Sequence, residues 1–211
     1  LHLSTQSNTV NWMSVKFWHK LGVKRIILSR ELTIGEIKEI RQHVPDIELE
    51  IFIHGAICMA YSGRCLLSNY FNHRDANQGV CTNACRWQYK VYEEPAGKQS
   101  EEDIYLPLKE NYYLEESERP GTLMPIDEDE HGTYIMNAKD LSTIDILPEL
   151  VDAGLDSFKV EGRTKSIYYV STITRAYRKA LDVYKATGEI PAEIKKEVYA
   201  IANRGYVTGF L

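Results

Sequence analysis

Apolar positions along the chain switch between helical spacing and short unbroken runs, the signature of alternating helices and strands. Val10, Met13, Phe17 and Leu21 recur at helical spacing, and Gly22 supplies a C-terminal stop. A strand is predicted over Arg25-Ile26-Ile27-Leu28-Ser29. Thr33-Ile34-Gly35-Glu36 reads as a capping box, opening a helix that carries Ile34, Ile37, Ile40 and Val44 on one face and stops at Pro45. The next strand is Leu49-Glu50-Ile51-Phe52-Ile53.

From about 88 to 133 this rhythm breaks into an acidic stretch containing Pro95, Pro107, Pro120 and Pro125. It is read as an inserted subdomain. Order resumes at Tyr134-Ile135-Met136, and Leu141, Ile144, Leu147, Leu150 and Val151 then predict a helix ending at Gly154. A strand follows at Ser157-Phe158-Lys159-Val160, then helices over about 166–187 and 192–203.

Residues 21–31 and 153–163 repeat one order: helix end, Gly, apolar anchor, strand, charged residues. Successive units of a (β/α) barrel have that register, although a doubly wound sheet shows it too. Strands at 2–4, 25–29, 49–53 and 157–160 make about half of the eight a closed barrel needs. The expected fold is therefore α/β, a partial TIM-type barrel (its C-terminal half) with an inserted acidic subdomain and a C-terminal helical extension. The expected segments are 1–87, 88–133, 134–190 and 191–211. With no initiator Met at Leu1, the sequence reads as a piece of a longer protein.

The 211 residues, 44% hydrophobic and 26% charged, suffice for a sizeable core. No run approaches the ~18 apolar residues of a membrane span, and no signal segment is recognisable, so a cytoplasmic protein is expected. The net charge of −5 is uneven. Residues 93–131 hold 13 acids against Lys98, Lys109 and Arg119, leaving 17 acids and 22 bases elsewhere. A basic remainder is compatible with an RNA partner and equally with a mixed solvated surface.

Four cysteines, Cys58, Cys65, Cys81 and Cys85, fall within 28 residues as Cys-x6-Cys-x15-Cys-x3-Cys. Four thiolates suit an iron–sulphur cluster or zinc. The paired Cys-x2-Cys knuckles usual for zinc are absent, which favours iron, while four unrelated buried thiols remain open on spacing alone. Disulfides would require an oxidising compartment.

The stretch from Glu50 through His54-Gly55-Ala56-Ile57-Cys58 and Tyr61-Ser62-Gly63-Arg64-Cys65 to Ser68 resembles the signature of the collagenase-like peptidase family, peptidase family U32. Asn77 to Trp87, Glu118 to Gly121, Glu128 to Asn137, Lys159 to Ser166 and Arg204-Gly205-Tyr206 are similar to its tRNA-hydroxylating branch. The resemblance covers essentially the whole chain. It implies hydroxylation of a wobble uridine of tRNA to 5-hydroxyuridine, prephenate as a linked co-substrate, and a 4Fe-4S cluster on Cys58, Cys65, Cys81 and Cys85. It also implies a full chain with an N-terminal half-barrel and a C-terminal extension.

If the barrel assignment holds, the residues just past each strand face one mouth: Ser4, Thr5 and Gln6; Arg30 and Glu31; His54; Glu161, Arg163 and Lys165. His54, Glu161 and Arg163 are the candidate catalytic residues. Gln6, Arg30, Tyr61, Arg86 and Lys165 are the candidate substrate contacts. Arg163 and Lys165 suit a small dicarboxylate or an RNA phosphate, against a structural ion pair with Glu161. His54 suits acid–base work, against a core-edge histidine held by a backbone carbonyl. Tyr61, Trp87 and Tyr168 suit base stacking, and Arg64, Arg74, Arg86 and Lys90 suit phosphates, although most of the 14 tyrosines must simply pack.

A peptidase is the rival enzyme. No Gly-x-Ser-x-Gly elbow or His-Glu-x-x-His motif is present, so hydrolysis would rest on Cys58 with His54. That would use a thiol the cluster needs. A third expectation is a non-catalytic RNA-binding module whose cluster only stabilises the fold.

Overall fold

The structure is a computed structural model that describes residues 1–58, 60–75, 78–86, 92–93, 106–107, 112–115, 123–129, 132–134, 139–163, 165–201, 203 and 205–211. Two compact units divide the chain, Leu1–Cys81 with Ala138–Leu211, and Thr82–Asn137.

The first unit is mixed α/β. Its sheet takes β1 (His2–Leu3), β2 (Arg25–Ile27), β3 (Glu48–Ala56), β9 (Asp140–Ser142), β10 (Ser157–Glu161) and β11 (Tyr206–Val207). The order is β1-β2-β3-β9-β11, with β10 also pairing β3. Strands β1, β2, β3 and β10 run parallel, whereas β9 is antiparallel to β3 and carries β11 parallel to itself. The sheet is open.

Its helices are α1 (Trp12–Lys20), α2 (Ile34–His43), α3 (Leu66–Asn72), α4 (Leu147–Asp152), α5 (Ile167–Thr187) and α6 (Ala192–Tyr199). The Thr33/Glu36 capping box opens α2, with both reciprocal bonds made. Ser166 accepts from the Tyr169 amide to start α5, and Gly188 at φ 80° ends it. Leu49, Ile51 and Ile53 of β3 pack with Ile37 and Ile40 of α2, Leu147 and Leu150 of α4, and Ile173, Ala176 and Ala180 of α5. Truncating any of the buried isoleucines or leucines costs about 2–5 kcal/mol.

Three expectations are corrected. Leu141 and Ile144 look like one helix face, yet residues 140–142 form β9 and the helix starts only at Leu147. Pairing with the end of β3 decides this, because spacing three apart does not separate a short strand from a helix. The last helix stops at Tyr199, and Tyr206–Val207 adds a strand. Helix α1 exists, but Met13, Phe17 and Leu21 of its apolar stripe are exposed, and Val15 faces the core.

The second unit contains β4 (Tyr92–Glu93) paired antiparallel with β5 (Leu106–Pro107). It also contains an antiparallel sheet of β6 (Tyr112–Glu115), β7 (Leu123–Asp129) and β8 (Gly132–Tyr134). Trp87, Lys90, Ile135 and Met136 lie outside the described residues.

Candidate functional site

The C-terminal ends of β1, β2, β3 and β10 bring one group of residues together. After β1, Ser4 caps a 3-10 turn over Thr5–Ser7 that includes Gln6. After β2 come Arg30 and Glu31, and after β3 the chain runs through Cys58 into a tight turn at Tyr61–Arg64. The Arg64 amide donates to the Tyr61 carbonyl at 2.9 Å, and Gly63 sits at φ 74°. Those features define a type II turn, whose third residue must tolerate positive φ. The turn packs hard on its neighbours, since a Cβ on Gly63 would stand 2.0 Å from the Gln6 carbonyl oxygen. Glu31 Oε1 accepts from the Ser62 amide at 2.7 Å and from its hydroxyl at 3.1 Å.

Glu161 links the same rim. Its carboxylate faces Arg30 Nη2 at 3.7 Å and accepts from the Arg163 amide at 3.4 Å. Beneath lies an ionic sheet face. Arg30 stacks over Phe52 with its Cζ 3.8 Å from the ring centroid, and Lys159 Nζ approaches the same ring at 5.1 Å. Glu50 takes Lys159 at 3.7 Å and Arg25 at 3.2 Å. Each cation on this face meets a carboxylate, so charge is held in register and not left in excess.

His54 belongs to a different group. The β3–β10 ladder matches Phe52 to Lys159 and then His54 to Val160, so Ile53 is one extra residue in β3. Such a bulge re-aims the side chains that follow it. Phe52 joins Ile27 and Leu141, while the His54 ring turns to Tyr169 and Tyr177 of α5, at centroid distances of 5.9 and 5.5 Å, and to Tyr206 of β11 at 5.2 Å. His54 is 0% exposed. The Tyr177 hydroxyl donates to the Ile53 carbonyl at 3.1 Å and accepts from the Thr143 amide at 3.1 Å. With its proton placed there, it accepts from His54 Nδ1 at 3.3 Å, which leaves Nε2 as the bare nitrogen.

Burial, and then the Lys165 charge, push the His54 pKa down to about 4, so the ring is neutral. Burial pushes Tyr177 and Tyr206 up to about 12 and also raises Tyr169. Among the described residues, His54 Nε2 and Tyr169 Oη are buried without a hydrogen-bond partner. Lys165 Nζ lies 3.3 Å from the fully buried Asp140 and 4.9 Å from the Tyr169 ring centroid.

Gln6, Arg30, Glu161 and Arg163 thus lie at the strand ends, where Arg30 and the Arg163 amide meet Glu161, and His54 and Lys165 both lie against Tyr169 of α5. Tyr61 is exposed in the turn between the first two cysteines, and Tyr168 is exposed at the start of α5. Arg86 closes a 3-10 turn over Ala84–Arg86, and its side chain lies outside the described residues. Spacing did not single out Ser62, Phe52, Asp140 or Tyr177. The run of helical positions 169, 173, 176, 177 and 180 was the available signal for Tyr177 facing inward.

Cys58 is exposed, Cys65, Cys81 and Cys85 are half-buried, and none is in a disulfide. Cys65 directly precedes α3, and Cys85 belongs to the second unit. As a donor set, four unbridged thiols fit the soft ligation of an iron–sulphur cluster. Among the described residues, no three Cys, His, Asp or Glu side chains are gathered closely enough to hold a metal ion. No helix among them is long and apolar enough to cross a membrane.

The open α/β sheet, with Cys58 just past the end of β3, defines the class of chain, and comparison with known proteins defines the family. The model of peptidase family U32 matches residues 1–211, and the chain belongs to that family. It is 50% identical over 227 residues to tRNA hydroxylation protein P of Escherichia coli, covering 100% of this chain and 50% of the relative. It is 48% identical over 230 residues to tRNA hydroxylation protein P of Haemophilus influenzae, covering 100% and 50%. A collagenase of Porphyromonas gingivalis is 29% identical over 224 residues, covering 100% and 47%. The chain spans about half the length of these relatives. No solved structure matches the chain.

Proposed function

We propose that this chain is part of a cytoplasmic tRNA hydroxylation protein that converts a wobble uridine to 5-hydroxyuridine. The observation that carries the reading is the match along the entire chain to tRNA hydroxylation protein P at 50% identity. In this reading the open sheet is the C-terminal half of a (β/α) barrel, and Cys58, Cys65, Cys81 and Cys85 hold a 4Fe-4S cluster. Such a cluster, when bound, supplies a one-electron redox centre.

The chain's own residues then have separate tasks. The Arg30 guanidinium and the Arg163 backbone amide meet at Glu161, at the rim where the strands end, and the arginine side chains suit the phosphates of tRNA or the carboxylates of a small dicarboxylate such as prephenate. Lys165 is drawn to Asp140 and His54 is sealed among tyrosines, so neither is assigned to substrate. The exposed Tyr61 offers a face for an unstacked base.

The test is complementation with the full-length gene in an Escherichia coli strain whose tRNA lacks 5-hydroxyuridine through loss of its own tRNA hydroxylation protein P. Mass spectrometry of digested tRNA should show the nucleoside restored by the wild-type gene and not by Cys58→Ala. Failure of the wild-type gene to restore it, with the protein present, would overturn the reading.

The collagenase relative supports a second reading, peptide hydrolysis. It needs a thiol–imidazole pair, and His54 supplies a poor one. Its ring is 0% exposed, its Nδ1 is committed to Tyr177, and Cys58 is exposed.

A further inference from the structure

The Cys58–Cys65 turn is fastened at two independent points, and neither fastening involves sulphur. Glu31, just past β2, takes both donors of Ser62 on one carboxylate oxygen, at 2.7 and 3.1 Å. Ser62 is 3% exposed, so these bonds are shielded from competing water. The second fastening is steric. Gly63, at φ 74°, lies so close to the Gln6 carbonyl that a Cβ would stand 2.0 Å from its oxygen. Backbone atoms, not a flexible side chain, set that limit. Between the two points the turn closes on itself through Arg64 N to Tyr61 O at 2.9 Å.

We propose that Glu31 and Gly63 are positioning residues for the metal-binding thiols, clamping the Cys58–Cys65 turn to the β1 and β2 ends so that two ligands are in place before iron binds. This rests on the cluster reading given above. Ligand arms fixed by their surroundings lose less conformational freedom on metal binding than free loops do. The residues adjoining the cysteines are then as necessary as the cysteines themselves. The Glu31 carboxylate does this through Ser62 and needs no contact with iron.

The experiment is iron and sulphide analysis of the full-length protein, purified anaerobically, together with the absorption shoulder near ~400 nm. Glu31→Ala and Gly63→Ala should each lower iron per chain at least two-fold, while Glu31→Gln, which keeps an acceptor for Ser62, should retain it. Ser62→Pro is the discriminating variant. Proline is favoured at the second position of this turn, so the turn survives while both donors to Glu31 are removed. It should lose iron at least two-fold with unchanged far-ultraviolet circular dichroism. A core variant away from the turn, Ile40→Val, should destabilise the fold yet keep full iron.

Wild-type iron content in both Ser62→Pro and Glu31→Ala would overturn the clamp. Iron loss in Ile40→Val equal to theirs would overturn it as well, since general stability would then explain the effect. Absence of iron from the wild-type protein would overturn the cluster reading instead.

Discussion

The Tyr177 hydroxyl stands 3.3 Å from His54 Nδ1, and through that contact one phenol on α5 fixes the orientation of an imidazole on β3. The same oxygen holds the Ile53 carbonyl and the Thr143 amide, each at 3.1 Å, so β3, α5 and the end of β9 share a single hydrogen-bond centre. Tyr177→Phe removes that centre and leaves the His54 N–H buried without its acceptor. A loss of about 1–3 kcal/mol in unfolding free energy is expected, measured as a lower urea midpoint.

His54 also sets a pH dependence. Its folded pKa of about 4 lies below the ordinary 6.5, so between those values the unfolded chain binds the extra proton and the folded chain does not. Stability should therefore fall as pH drops from about 6.5 towards 4, by roughly 3 kcal/mol for this group, and should not respond to it above that window. The ring is faced by Tyr169, Tyr177 and Tyr206, whose phenols stay neutral there, and by the Lys165 ammonium. His54→Gln should flatten the stability profile between pH 7 and 4 relative to wild type.

Gly55 cannot be replaced cheaply. At φ 108°, a Cβ would lie 2.3 Å from the Glu161 carbonyl oxygen, so Gly55→Ala must part β3 from the end of β10. A cost of about 2–4 kcal/mol is expected from thermal or urea unfolding, with the Arg30–Glu161 approach disturbed as well.

Arg30→Lys tests the rim. Lysine keeps the charge but loses the flat stacking on Phe52 at 3.8 Å and the forked donors towards Glu161. In the complementation assay 5-hydroxyuridine should fall about ten-fold or more, a barrier increase of about 1.4 kcal/mol or more. The unfolding midpoint should change little.

Gelatin incubated with the purified full-length protein should remain intact. Cleavage that disappears in Cys58→Ala would restore the peptidase reading, because Cys58 would then be acting as a nucleophile.

Much of this was legible in sequence. The capping box at Thr33 and Glu36, the Gly22 stop and the apolar run of β3 are local signals, and local hydrogen bonds realise the first two. The cysteine segment and the charged strand ends were legible as motifs. Pairing between distant residues was not. Residues 140–142 carry too few positions to distinguish a strand from a helix until β3 captures them, and the bulge at Ile53 exists only relative to β10. Its place just past the predicted strand put His54 with the rim, whereas β3 runs on through it and the bulge turns its ring to the tyrosines. Met13, Phe17 and Leu21 gave a correct helix and an incorrect inner face, since periodicity reports a stripe without saying what covers it.

That extra residue in β3 acts as a change of reading frame within one strand. Upstream, even-numbered side chains such as Glu50 and Phe52 address the ionic face, while His54, also even-numbered, belongs to the tyrosine-lined side. Two chemically unlike environments can therefore be altered independently along nine consecutive residues. Deleting Ile53 would remove the bulge and make Phe52 and His54 ordinary alternating neighbours, Phe52 on the ionic face and His54 still on the tyrosine-lined side, with a buried core isoleucine lost.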